Sequence, residues 1–313
     1  ASGHDDITEY LDFSKNPSAV NPDWKYVYSA NNQPEPIDGF LYPGYYLPED
    51  RARRITQLLD PKSNWDKEAV SKMMFDNTSA VAPEVVQELI SNVDYNSLSK
   101  NEKEAITILK AWKGSNNLED VAPTIYNKWI YMYLKNTFED ELGSANFKQF
   151  LGTHIMKQII AKQMANENSL WWDNIATKGK KETRSQVLSK SFKESILALD
   201  KQLGNSVSGW TWNKVHTLEH QHPLGKVAAL RPYFNVGPFA VSGSTEVINN
   251  LFFDFTDCIS PKLNRYHFSH ITTKTINVFC RPIAKNMVHF MPCIWNIFEV
   301  SPLIFSIMYP IIQ

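Results

Sequence analysis

Through the middle of the chain hydrophobic residues recur at helical spacing, and on either side of that stretch the pattern shortens to strands and turns. From Pro48 onward Ile55, Leu58 and Leu59 share one face, with Arg51 and Arg54 at its polar margin, which predicts an amphipathic helix. Ser63-Asn64-Trp65-Asp66 has the spacing of a capping box and predicts a second helix carrying Val70, Met73 and Met74. Helices are predicted next over residues 83–93, 99–112, 123–142, 146–164 and 183–203. Ser99 with Glu102 opens the helix at 99, Gly114 closes it, and Gly204 closes the one that ends at 203.

The flanks use a different vocabulary. Residues 1–47 mix Asp, Pro, Gly and Tyr with β-prone pieces such as Trp24-Lys25-Tyr26-Val27-Tyr28, which predicts strand and loop. After Gly204, Trp210, Trp212, Val215 and Leu218 and then Phe234-Asn235-Val236-Gly237-Pro238-Phe239 again predict strands and turns. Gly243 is the last glycine, beyond Asp257 the only acidic residue is Glu299, and Cys258, Cys280 and Cys293 all fall in this tail. The shift divides the chain into residues 1–257 and an atypical tail, 258–313, for which a different, non-native origin or a change of reading frame is the expected source.

Composition sets the broad class. With 313 residues and 43% hydrophobic content, the chain is large enough for one sizeable domain or two small ones. Its 32 basic and 33 acidic residues nearly cancel, so no global field recruits nucleic acid or an anionic membrane surface. The 9 Trp, 13 Tyr and 17 Phe are read mainly as core packing. No secretory signal opens the chain at Ala1-Ser2-Gly3, and the apolar stretch after Glu299 is broken by Pro302 and Pro310, so no membrane span is predicted. A start inside a polar segment leads to the expectation of a fragment or processed product.

Few residues carry a specific chemical signal. Asn31-Asn32 before Pro34 suits an Asx-turn, and it equally suits a side-chain donor for a developing oxyanion. Arg51 reads either as a surface cation beside Glu49 and Asp50 or as a fixed fork holding carbonyls. His216, His220 and His222 would share a strand face suited to zinc, but Lys214 shares it too and no carboxylate stands at second-shell spacing. Lys178-Gly179-Lys180-Lys181 reads as a solvated loop. There is no Gly-x-Ser-x-Gly elbow, and the glycines near Gly237 and Gly243 fit neither phosphate-binding fingerprint.

Taken with Asn21-Pro22 and Tyr26-Val27-Tyr28, the runs Ser29-Ala30-Asn31-Asn32-Gln33-Pro34 and Pro48-Glu49-Asp50-Arg51-Ala52-Arg53-Arg54-Ile55 resemble the penicillin acylase (penicillin amidase) family of N-terminal-nucleophile hydrolases. Trp212 to His216, His222-Pro223-Leu224, Phe234 to Phe239 and Ser242 to Asn250 extend the resemblance, which lies in the later part of the large (beta) subunit. It implies an α+β fold, an incomplete part of a four-layer αββα sandwich with a large helical segment. It implies hydrolysis of a linear amide through an acyl-enzyme on an N-terminal Ser, whose own α-amino group is the base.

By the same resemblance Asn31 is the oxyanion donor and Arg51 orients it, with Arg54 as the fallback. Asp38 is the candidate for a structural calcium, and the chemistry itself needs no cofactor. Ser2 is not terminal, so no nucleophile is expected in this chain and the isolated chain is expected to be inactive. The implied partners are a small-molecule amide and the missing N-terminal portion and small subunit of the same precursor, with no nucleic acid and no membrane. The implied location is the periplasm. An acyl-homoserine-lactone acylase and a non-catalytic binding or scaffold relative are the other readings. The tail departs from the family, lacking its Gly-Gln-Ser-Gly-Asn-Pro run and His-Tyr motif.

Overall fold

A helix buried nearly all round has to be surrounded, and the first half of the helix from Ala122 is such a segment, with residues 122–125, 127–131, 133 and 134 buried. The computed structural model describes residues 10, 12–36, 39, 41, 42, 44, 46–251 and 253. Its helices are α1 (Asp50–Leu59), α2 (Lys67–Met74), α3 (Ala82–Ser91), α4 (Lys100–Ala111), α5 (Ala122–Leu151), α6 (His154–Ala165), α7 (Arg184–Leu203) and the single turn α8 (Arg231–Phe234). Ile125, Trp129, Ile130, Tyr133, Leu134 and Phe138 of α5 are all buried, and α7 answers with Leu188, Phe192, Ile196 and Leu199. The Trp129 and Phe192 rings meet at 4.5 Å, and Asn136 bridges to Glu194 at 2.6 Å. Helices α3 and α4 complete this body through Val86, Leu89, Ile106 and Leu109.

Local signals account for several helix ends. Ser99 and Glu102 form the capping box of α4, Thr183 and Gln186 that of α7, and Gly204 at φ 90° ends α7. Three boundaries differ from expectation, the first being the helix predicted over 146–164, which is divided at Gly152 and Thr153, where α5 ends at Leu151 and Thr153 caps α6. The start of α2 uses Asp66, whose Oδ1 accepts from the Ala69 N–H at 2.8 Å, so Ser63 does not open a capping box. The break predicted after residue 142 is a kink at Gly143, φ 71°, beyond which the helix resumes to Leu151 because Phe147 and Leu151 regain the core.

The strands are sparse. Strand β1 (Thr217–His220) pairs antiparallel with β2 (Val236–Ala240), Leu218 opposite Phe239, with a bulge before the His220–Val236 pair. That ladder is the only sheet among the described residues, so the fold is α+β with helices dominant. Residues 24–28 do not form a strand: Trp24 lies in a turn closed by the Lys25 N–H on the Pro22 carbonyl at 2.8 Å, Lys25 has a left-handed φ of 64°, and no segment among the described residues pairs with 26–28. No helix among them is long and apolar enough to cross a membrane. The tail 258–313 and Ser2 lie outside the described residues.

Candidate active site

The loop before α1 turns sharply at Asn31, whose φ of 61° lies in the left-handed region that Asn tolerates better than most residues. Asn32 takes the turn role: its Oδ1 accepts from the Ala30 N–H at 3.4 Å and its amide donates to the Gln33 carbonyl at 3.3 Å. Gln33 in turn donates to the Tyr42 carbonyl, and the Leu47 N–H donates to the Asn31 carbonyl at 2.7 Å. Farther back Tyr26 donates to Asp60 at the far end of α1, at 2.5 Å. The loop is thus fastened along the whole length of that helix.

Helix α1 sends its three arginines to three different partners, as 100° steps around a helix require. Arg53 forms a two-pronged pair with exposed Glu84, and Arg54 grips Asp76 at 2.9 and 2.6 Å. Arg51 turns inward and is only 3% exposed, in contrast to its predicted place at the polar margin. The difference arises because Ala30 and Asn31, twenty residues earlier, lie over it. Its Nη2 donates to the Ala30 carbonyl at 2.7 Å and to Asn31 Oδ1 at 2.9 Å. A guanidinium only donates, so the oxygen of the Asn31 amide faces Arg51 and its NH2 is directed away. Asn31 is exposed, and among the described residues that NH2 has no protein acceptor. Arg54, the fallback, is committed to Asp76.

At the start of α1, beside Asp50, lies a cavity of about 80 Å³ whose lining includes Ser79, Tyr126, Asn127, Lys157 and Glu246. Asp50, the first residue of α1, accepts from Ser79 Oγ at 2.7 Å. Burial pushes its carboxyl up to about 6; the Ser79 bond opposes the rise and the charge of Glu246 adds to it. Glu246 is itself buried, has a left-handed φ of 46°, and pairs with Lys157 of α6. Burial pulls the Arg51 guanidinium below its ordinary value, and Glu246 counters that pull.

The penicillin amidase family profile matches residues 1–278, most of the chain, and spans every element of this constellation. The chain belongs to the penicillin amidase family. Among individual relatives it is 24% identical over 277 residues to acyl-homoserine lactone acylase QuiP of Pseudomonas aeruginosa, covering 77% of this chain and 32% of that protein. Its identity to the protein of the same name from Pseudomonas fluorescens is 25% over 282 residues, covering 83% and 34%. For Pseudomonas syringae pv. tomato the figures are 24% over 183 residues, 53% and 22%. The chain therefore spans at most about a third of the length of these curated relatives.

Within this family member the other candidates do not join the Asn31 constellation. Asp38 lies outside the described residues, and among those described no group of three or more His, Cys, Asp or Glu is placed to hold a metal ion. The three histidines are dispersed. His216 is fully buried, stacks on Trp212 at 4.6 Å and meets the Val241 carbonyl through Nδ1, and burial lowers its pKa to about 4. His220 is exposed, and exposed His222 stacks on Phe234. The 178–181 loop is exposed as predicted. Sequence reasoning missed Asp50, Lys157 and Glu246 as neighbours of the site. Lys157 and Glu246 are 89 positions apart, and no local pattern links them.

Proposed function

We propose that this chain forms the oxyanion-stabilising part of an amidohydrolase, with Asn31 as donor and Arg51 as the residue that orients it. The observation that carries the reading is the 2.9 Å bond from Arg51 to Asn31 Oδ1, which leaves the amide NH2 turned outward from the loop. In the proposed reaction a terminal Ser, supplied outside residues 1–313, attacks the carbonyl of a linear amide. The negative charge that develops on the carbonyl oxygen is met by the Asn31 NH2. The amine then leaves, and water attacks the acyl-enzyme through a second oxyanion at the same donor.

Arg51 lowers the cost of this step because the donor needs no reorientation when charge appears. The framework is the family's αββα sandwich, of which the β1–β2 ladder would be one margin, and periplasmic location belongs to the same proposal. The names of the matched relatives favour an N-acyl-homoserine lactone over a phenylacetyl amide as substrate.

The test is turnover of a phenylacetyl anilide and of a long-chain N-acyl-homoserine lactone by the complete polypeptide that contains these residues. Asn31→Ala is expected to lower kcat about 10²- to 10³-fold on the preferred substrate, and the 313-residue chain alone is expected to turn over neither. An Asn31→Ala enzyme that keeps kcat within a factor of about two would refute the donor role.

A further inference from the structure

Arg51 presents an unusual balance for a buried cation. Both hydrogens of its Nη2 are used, on the Ala30 carbonyl and Asn31 Oδ1, yet neither acceptor carries a full charge. Its Nε is buried without a hydrogen-bond partner, and no carboxylate among the described residues forms an ion pair with it. Withdrawing a guanidinium from water without a counter-charge costs several kcal/mol. A charge in the surroundings has to offset that cost.

Glu246 has the complementary deficit. One carboxylate oxygen pairs with Lys157, while Oε2 is buried without a partner among the described residues. The segment that carries it lies against the start of α1. Glu246 and Asp50 line the same cavity, and Ile248 packs into the cluster formed by Ala30, Ala52 and Ile55. The Asn249 N–H donates to the Asp76 carbonyl, and Asp76 in turn holds Arg54. Gly243 starts the segment at φ 90°, where a Cβ would come within 2.4 Å of the Asn249 carbonyl, so the turn is closed tightly. Glu246 itself keeps a left-handed φ, a conformation that a non-glycine residue holds only against backbone strain.

Helix α6 supports both halves of this arrangement. Lys157 fixes Glu246, and the next residue, Gln158, donates to the Tyr46 carbonyl, beside the Leu47 N–H that holds the Asn31 carbonyl. We propose that Glu246, anchored by Lys157, is a positioning residue that keeps the Arg51 fork in place and through it fixes the direction of the Asn31 amide. The inference rests on the oxyanion reading of Asn31. It adds a remote carboxylate that touches neither the reacting atoms nor Asn31, contributed by a segment some 200 residues along the chain.

The experiment is a double-mutant cycle of Glu246→Gln and Asn31→Ala in the complete polypeptide, with kcat, KM and thermal unfolding read for each. Glu246→Gln is expected to lower kcat about 10- to 100-fold with KM changed less than about twofold. In the Asn31→Ala background the same change is expected to cost less than a further factor of about two. Glu246→Asp, which keeps the charge, should recover part of the loss, and it carries the cycle if Glu246→Gln does not fold. Losses that multiply in the double mutant, or an unchanged kcat in Glu246→Gln, overturn the inference while Asn31→Ala still shows its own about 10²- to 10³-fold loss. If Asn31→Ala itself keeps kcat within a factor of about two, the oxyanion reading fails first.

Discussion

Around α5 and α7 the chain buries Trp129, Tyr133, Leu188 and Phe192 completely, whereas around Asn31 the apolar contribution comes from Ala30, Ala52, Ile55, Leu59, Met73 and Ile248. The first region is held by large rings in close contact, which are strong and indifferent to direction. The second is held by directional polar bonds laid over a small apolar seam: Arg51 to Ala30 and Asn31, Arg54 to Asp76, Tyr26 to Asp60. The difference separates two tasks. Ring packing supplies stability, and the polar bonds fix the orientation of one amide.

Three measurements would break or sharpen that contrast. The largest effect is expected at Trp129→Ala, which should remove about 3–5 kcal/mol of stability in denaturant unfolding. A loss below 1 kcal/mol there would remove the distinction between the two regions. Next comes pH, because the regions hold buried groups of opposite tendency. The Asp50 carboxyl is raised from 3.8 to about 6, so the folded state keeps its proton more tightly and gains stability as pH falls from about 6 toward 4. The His216 imidazole is lowered from 6.5 to about 4, so its contribution is full above pH 6.5 and is lost as pH falls toward 4.

Asp50→Asn removes only the first effect. Between pH 7 and pH 4 the stability difference between the parent and Asp50→Asn should therefore move in favour of the parent by on the order of 2–3 kcal/mol. Urea midpoints recorded across that range would show it, and a flat difference would mean that the half-buried Asp50 carboxyl is not desolvated enough to hold its proton. The smallest effect is expected for Arg53→Ala, whose exposed pair with Glu84 is worth less than about 1 kcal/mol. A larger loss would mean that surface pairs on α1 also carry the arm.

Legibility in the sequence followed the same division. The capping box of α4 was readable because both participants lie within one turn, and so was the stop of α7 at Gly204. Asn32 as the turn residue followed from its place before Pro34. The inward course of Arg51 was not readable: spacing on α1 alone puts it at the polar margin, and the cover is supplied by Ala30 and Asn31 from an earlier loop. Trp24 to Tyr28 has strand composition, but a strand exists only with a partner. Lys157 and Glu246 meet across 89 positions, as the packing of α6 against the 244–248 segment decides and no periodicity announces.

Under the proposed donor role, position 31 combines two demands that are usually met by different residues. The left-handed bend admits Gly readily and Asn or Asp with little strain, while an outward NH2 on a short arm is offered only by Asn, since Gln reaches too far and resists the bend. The overlap of the two sets contains a single amino acid. Each near miss also fails in its own way. Gly keeps the course of the loop and loses the amide, and Asp keeps the bend but presents an acceptor where a donor is needed, with a charge that would draw Arg51 onto itself. The site therefore behaves like a lock with one key, and random substitution has no gradual path away from it.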